Sequence, residues 1–170
     1  MARKLGMNAT KRMALIKNQA SALLWHGRIE TTDARAKEVA AYVAKVITLA
    51  VNTYTDTIET EVKVVDSKGK ESTKTLIKDG VKKLNARRKI MNMVNDLQEV
   101  KGFKESKPDF KKRTRAIKSP LIEKIFDEYA PKFAARKEEK SNGGGYTRIY
   151  KLGPRKGDAA EVAIIEIIND

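Results

Sequence analysis

The sequence has no cysteine and only one histidine, His26, among its 170 residues. A disulfide framework and a thiolate metal site are therefore excluded, and so is a metal centre built from several histidines. Aromatic residues make up only 6% of the chain, which argues against a binding mode that stacks many bases. No apolar run approaches the roughly 18 residues of a membrane span, and the basic N-terminus lacks the apolar stretch of a signal peptide. These absences favour a cytosolic protein.

Positive charge is what the chain has in excess. Lysine and arginine number 36 against 22 acidic residues, which gives a formal net charge of +14. Because like charges repel within a globule, we expect a polyanion to neutralise the surplus, nucleic acid first and an anionic membrane second. Contacts to phosphates are the predicted mode of binding. The length suits one compact domain, which we expect to span residues 1–170.

The N-terminal 28 residues contain cations and no acid. Residues 1–9 lack an amphipathic period and predict a basic extended arm, which can enter crevices between phosphates. From about Thr10, apolar residues recur at spacings of three and four, which predicts a helix ending at Gly27. Its apolar stripe is Met13, Ile16, Ala20, Leu23 and Leu24. The cations of this region are Arg3, Lys4, Lys11, Arg12, Lys17 and Arg28.

A second helix is predicted after a brief strand or turn at residues 28–31. We expect the Thr32 hydroxyl to cap it and Asp33 to lie in its positive first turn. Its apolar stripe is Ala36, Val39, Ala40, Val43, Val46, Ile47 and Ala50. Residues 54–83 then predict an inserted hairpin, with alternation at 61–64, a turn at 66–69 and a return strand at 72–76.

A third helix is predicted with one apolar side and a cluster of cations. The apolar side is Val81, Leu84, Met91, Val94 and Leu97, and the cations are Arg87, Arg88 and Lys89. Residues 98–118 predict a basic insertion that reaches additional RNA. Pro120 is expected to open a short fourth helix. Its apolar residues are Leu121, Ile122, Ile125, Phe126 and Tyr129.

The C-terminal part predicts two strands, at 146–152 and 162–168, joined by a basic tip. Arg155 and Lys156 lie in this glycine-flanked tip, where both cations can reach a phosphate. Helices that come first and strands that come last predict an α+β fold. We expect an N-terminal helical part of three to four helices, a short C-terminal β-sheet and the inserted hairpin.

Catalysis is not predicted. His26 could act as a general base, but no nucleophile is marked by a motif, and Gly143 to Gly145 lack the Lys-Ser/Thr of a phosphate-cradling loop. A metal nuclease would need Glu30, Asp33 and Glu38, of which Asp33 is better explained by the helix start. A free-standing nucleic-acid-binding module remains the main alternative. Three aromatics are expected to pack rather than to stack on bases, namely Trp25, Tyr146 and Tyr150.

Six segments in order resemble the family of bacterial large-subunit ribosomal protein seventeen. The most specific is residues 29–38, Ile-Glu-Thr-Thr-Asp-Ala-Arg-Ala-Lys-Glu, which resembles the family signature. The others run from Arg3 to Gly6, Leu24 to His26, Asn85 to Arg88, Gly144 to Ile149 and Leu152 to Ala160. Segments 54–83 and 98–118 are expected to be insertions relative to the short core of that family.

The resemblance implies a non-catalytic constituent of the large ribosomal subunit that needs no cofactor. It implies binding to large-subunit rRNA near the exit of the nascent-chain tunnel, beside neighbouring ribosomal proteins, with no membrane and no small-molecule substrate as partner. Combined with the charge pattern, it yields thirteen predicted RNA-binding residues. They are Arg3, Lys4, Lys11, Arg12, Lys17, Arg28, Arg35, Lys37, Arg87, Arg88, Arg148, Arg155 and Lys156.

Overall fold

A computed structural model describes residues 4–65, 71–115, 117–140 and 143–168. Six α-helices and five strands are found in these residues. The helices are α1 Ala9–His26, α2 Asp33–Val51, α3 Val81–Met93, α4 Lys107–Thr114, α5 Pro120–Lys124 and α6 Ala130–Lys140, and a π-helical turn, Ile125–Tyr129, joins α5 to α6. The strands are β1 Arg28–Thr32, β2 Thr57–Val65, β3 Glu71–Asp79, β4 Thr147–Pro154 and β5 Glu161–Ile167. The predicted α+β class is confirmed.

The strands form two antiparallel sheets. One has the order β1-β5-β4, and the other is the hairpin of β2 and β3. The two strands predicted at the C-terminal end are therefore confirmed, and β1, which was left as strand or turn, is a strand. The predicted hairpin is also confirmed, while its turn at 66–69 lies outside the described residues.

The core is organised around α2, which packs on α1, α3, α6, the π-helical turn and β5. Its buried residues follow the predicted stripe, except that Ala40 is half-buried. Tyr129 and Phe133 from the last helical stretch and Tyr146 close the core, with the Phe133 and Tyr146 rings edge to face at 4.8 Å. The Tyr129 hydroxyl donates to the Leu24 carbonyl at 2.9 Å, which ties that stretch to α1.

Helix α1 confirms the prediction closely. It ends at Gly27, whose φ of +79° is the left-handed conformation that glycine adopts without strain. Asn8 caps its start by accepting from the Lys11 amide at 2.9 Å. Met13 of the predicted stripe is exposed, because burial along α1 begins only at Ile16.

Several sequence predictions are wrong in detail. Residues 4–7 form a turn, with the Met7 amide donating to the Lys4 carbonyl, so this part of the arm is not extended. The Thr32 side chain makes no cap bond to α2. Thr32 is instead the last residue of β1, paired with Val162.

The apolar side predicted for α3 is right at Val94 and wrong at three other positions. Ala86 and Ile90 are buried, whereas Val81, Leu84 and Met91 are exposed. Burial follows positions spaced by four, through Ala86 and Ile90 to Val94, because that row faces α2 and α5. Leu97 lies beyond the end of the helix.

The last helical stretch is longer than the short fourth helix that was predicted. It runs from Pro120 through the π-helical turn to Lys140. All five apolar residues assigned to it are buried. Among the described residues, no helix is both long enough and apolar enough to cross a membrane.

Candidate nucleic-acid interface

Three strands expose one face of the C-terminal sheet. Because Ala163, Ile165 and Ile167 of β5 are buried, the alternate residues of β5 and their register partners lie on the opposite face. We call this opposite face the outer sheet face. Its residues are Arg28, Glu30, Thr32, Val162, Ile164, Glu166, Arg148 and Tyr150.

Two predicted RNA-binding arginines meet at one end of the outer sheet face. Glu166 is the register partner of both Arg28 on β1 and Arg148 on β4. Tyr150 donates its hydroxyl to Glu166 at 2.9 Å and accepts from Arg148 at 3.5 Å. One carboxylate between two guanidinium groups leaves this row positively charged.

Tyr150 corrects the expectation that the strand tyrosines pack inside. It is 42% exposed on the outer sheet face, whereas Tyr146 is buried against Phe133 as expected. Tyr146 precedes the strand and follows Gly145, whose φ is +60°, so the alternation read from the sequence does not extend to it. Trp25 is half-buried and packs against the core, as expected.

The other end of the outer sheet face opens into a cleft of about 300 Å³. Arg35 from α2 and Arg155 from the tip both line it, although they are far apart in the chain. Glu30, Thr32 and Val162 form part of the wall, which makes the cleft continuous with the outer sheet face.

The tip after β4 is held in shape by its own ion pair. The Arg155 guanidinium donates to both Asp158 oxygens at 2.5 and 2.6 Å. Those hydrogen bonds, with a further one from the Ala160 amide, lower the pKa of the exposed Asp158 carboxyl to about 2. Lys156 is exposed beside this pair. Gly153 lies at a bulge with φ +94°, which favours glycine.

Only some of the predicted RNA-binding cations near the N-terminus have side chains that are exposed and unbonded within the described part of the chain. Lys4 and Lys11 are exposed and Arg12 is half-buried, while Arg3 lies outside the described residues. Lys17 donates to the Asn92 carbonyl at 2.5 Å, which fastens α1 to the end of α3. Lys37, in the first turns of α2, pairs with Asp33 at 2.7 Å.

Adjacent arginines of α3 differ sharply. The Arg87 side chain is 16% exposed and pairs with Asp79 at 2.8 Å and Glu123 at 2.5 Å. Its guanidinium also lies 5.1 Å from the Phe126 ring centre. Burial lowers the pKa of Arg87, but hydrogen bonding and the charges of Glu123 and Asp79 outweigh it, so the net shift is upward. Arg88 is exposed and forms no ion pair with another described residue.

Sequence reasoning missed one helix within residues 98–118, the segment predicted to be a basic insertion. Helix α4 begins after Ser106, whose hydroxyl accepts from the Asp109 amide, and carries Pro108 in its first turn. Ser, Pro and Asp in this order are a helix-start signal that could have revealed it. A concave surface of about 560 Å³ along α4 is lined by Pro108, Lys111, Lys112 and Arg115.

The carboxylates considered for a nuclease do not assemble a metal site in the described part of the chain. There, no group of three or more potential metal-ligating side chains was found. Asp33 is engaged by Lys37, and Glu30 belongs to the wall of the arginine cleft.

Comparison with known proteins gives a consistent result. Residues 15–168 match the model of the family described as ribosomal protein L17. The chain is 37% identical over 185 aligned positions to the large ribosomal subunit protein bL17 of Lachnospira eligens, with 98% of each chain covered. It is 40% identical over 190 positions to that of Ruminiclostridium cellulolyticum and 35% over 190 positions to that of Acetivibrio thermocellus, again with 98% of each chain covered.

Proposed function

Since the chain belongs to the ribosomal protein L17 family, a family of structural, non-enzymatic proteins, we propose that this constituent of the large ribosomal subunit binds large-subunit rRNA near the nascent-chain tunnel exit. The observation that carries the rRNA contact is the outer sheet face. Arginines from three separate parts of the sequence converge there, at its Glu166 row and in its cleft. Convergence of this kind suits a phosphate backbone that runs across the sheet.

Phosphate contacts come from cations that are exposed or, like Arg12 and Arg35, half-buried, together with Arg3, which lies outside the described residues. We assign this role to Arg3, Lys4, Lys11, Arg12, Arg28, Arg35, Arg88, Arg148, Arg155 and Lys156. Arg87, Lys17 and Lys37 serve the fold instead, because each is engaged by the chain itself. Arg155 has both functions, since its pair with Asp158 shapes the tip while its side chain still lines the cleft.

The protein recognises RNA shape more than base sequence. The outer sheet face offers guanidinium groups and one half-exposed aromatic ring, and phosphate contacts position a protein without reading sequence. Placement near the tunnel exit, with ribosomal proteins of that rim as neighbours, is supported by the family resemblance. The whole domain, residues 1–170, acts as one unit in this proposal.

The test uses the full chain and purified large-subunit rRNA. With about six phosphates contacted, affinity falls about a thousandfold between 50 and 200 mM salt. A double variant, Arg28→Gln with Arg148→Gln, is expected to reduce the slope of log affinity against log salt by about 1 to 2. The matched control is Lys45→Gln with Lys137→Gln, which removes the same charge from exposed sites on α2 and α6.

Three outcomes would contradict parts of the proposal. Binding to rRNA that is insensitive to salt contradicts the phosphate mode. A chain that fails to sediment with large subunits from a cell lysate contradicts the ribosomal role and favours a free-standing nucleic-acid-binding module. For the tunnel exit, a photoreactive residue at Lys156 in assembled subunits is expected to reach rRNA or a rim protein, and reaction with proteins of the subunit interface would contradict the placement.

A further inference from the structure

We infer that α4 forms a second RNA-binding surface, separate from the outer sheet face, in which Lys111, Lys112 and Arg115 hold phosphates. This inference rests on the proposed rRNA binding and concerns the segment 98–118. The side chains of α4 fall on two sides of the helix. One side, the fastened side, makes ion pairs with residues of the same chain, and the other, the cationic side, exposes three cations.

The fastened side is centred on Arg113. Its guanidinium pairs with Glu105 at 3.0 Å and with Glu99, and it lies 5.6 Å from the Phe110 ring centre. Glu105 also accepts from the Gly102 amide at 3.1 Å, which joins the loop before α4 to the same network. Arg113 is thereby occupied, and the carboxylates of Glu99 and Glu105 are both paired on this side of the helix.

The cationic side follows from helical geometry. At 100° per residue, Lys111, Lys112 and Arg115 fall with Pro108 within an arc of about 100°, while Phe110, Arg113 and Thr114 fall on the other side. The concave surface of about 560 Å³ is lined by Pro108 and these three cations. All three cations are exposed and form no ion pair with any described residue. An RNA phosphate backbone suits a concave surface with three positive charges and no described acid in its lining.

Phe103 adds an independent observation in the same segment. It is fully exposed, three residues before the α4 cap, and Lys104 beside it is exposed too. A fully exposed phenyl ring has no folded-state partner among the described residues, and an aromatic ring next to lysines suits stacking on an unpaired RNA base. An acidic protein partner would use the cations but would not need this ring.

The experiment measures affinity for purified large-subunit rRNA across a salt series, with the full chain. The triple variant Lys111→Gln, Lys112→Gln and Arg115→Gln is expected to reduce the slope of log affinity against log salt by about 2 to 3. Phe103→Ala is expected to weaken binding at least about fivefold without changing the slope, because stacking releases no counterions. The matched control is the triple Lys45→Gln, Lys78→Gln and Lys137→Gln, which changes net charge equally at exposed sites elsewhere.

Each result decides between named alternatives. A slope change confined to the α4 triple supports the inference, whereas equal changes in both triples show a non-specific charge effect and overturn it. Unchanged rRNA binding in the α4 triple and in Phe103→Ala would also overturn it, and would point to a protein partner for this face. Loss of salt-dependent binding in the unaltered chain would instead remove the proposed function, so the two failures are distinguishable. Circular dichroism of each variant verifies that the fold is retained.

Discussion

Helix α2 buries six of its side chains, whereas α4 buries none of its described side chains. Burial of apolar surface therefore stabilises α2, as a central element of the core. An eight-residue helix is marginal in water, so α4 depends on its Ser106 cap, its ion pairs and its surroundings. The difference indicates that α2 should respond to changes in volume, while α4 should respond to changes in charge and salt.

The largest expected effect is on α2. Ile47 is completely buried, and Ile47→Ala is expected to lower the free energy of unfolding by about 2–5 kcal/mol, because it removes methyl groups and leaves a cavity. Urea denaturation followed by circular dichroism measures the loss. Lys45→Ala, two residues earlier and exposed, should change stability by less than about 0.5 kcal/mol. Equal losses in both variants would contradict the assignment of α2 to the core.

The second effect separates two neighbouring arginines of α3. Arg87→Met should cost about 1–3 kcal/mol in unfolding free energy, because Asp79 and Glu123 lose their shared partner in a partly buried setting. Arg88→Met should leave stability nearly unchanged and instead reduce the salt slope of rRNA binding by about 1. If Arg87→Met reduced the slope and left stability intact, the structural role given to Arg87 would be wrong.

This pair of arginines also illustrates what a sequence can and cannot predict. Arg87 and Arg88 look alike in sequence, and both were predicted to bind RNA. Their difference comes from Asp79 and from Glu123, which is 36 positions away, because both carboxylates pair with Arg87 in the folded chain. Local pattern carries no information about a partner so far along the chain, so the distinction between the ion-paired Arg87 and the exposed Arg88 had to come from the structure.

Elements whose apolar residues recur on one buried face could be predicted from the sequence. Helix α4, which is held by its cap and ion pairs, was not predicted. The stripes of α1 and α2 and the β-branched run of β5 led to the correct elements, because one face of each is buried. Helix α4 lacks any apolar stripe, and its start signal at Ser106 was the sole local clue. The convergence of Arg35 and Arg155 in one cleft depends on sheet pairing across the whole chain, which no local pattern encodes.

A smaller effect is expected where the last helical stretch is tied to α1. Tyr129→Phe removes the hydrogen bond to the Leu24 carbonyl and should cost about 1 kcal/mol. Burial, followed by the charge of Glu128, raises the pKa of Tyr129 to about 12, above the ordinary value near 10. The folded state therefore resists ionisation that the unfolded state undergoes, and this contribution is complete below pH 10 and is lost as pH rises to about 12.

That dependence can be checked by comparing two chains. The loss of unfolding free energy between pH 9 and pH 11.5 should be steeper in the unaltered protein than in Tyr129→Phe, since only the former has this phenol. Comparing the two chains cancels the titration of the lysines, which both share. Parallel pH profiles would show that Tyr129 ionises in the folded protein as it does in the unfolded one.

The smallest effect is expected in α4, where a charge change should alter a local titration with little change in global stability. Hydrogen bonds from Arg113 and from the Gly102 amide hold the pKa of the exposed Glu105 carboxyl below its ordinary value. Arg113→Gln should therefore move that pKa upward, toward the value of a free glutamate, in a titration followed by carboxyl carbon NMR. Lys111→Gln, on the opposite side of the helix, should leave the Glu105 pKa low.

As pH falls through the lowered pKa of Glu105, the unaltered protein should lose the contact between Glu105 and Arg113. The α4 resonances should then shift while those of α2 stay fixed, because α2 depends on burial instead of ion pairs. Simultaneous shifts in both helices would contradict the contrast between them.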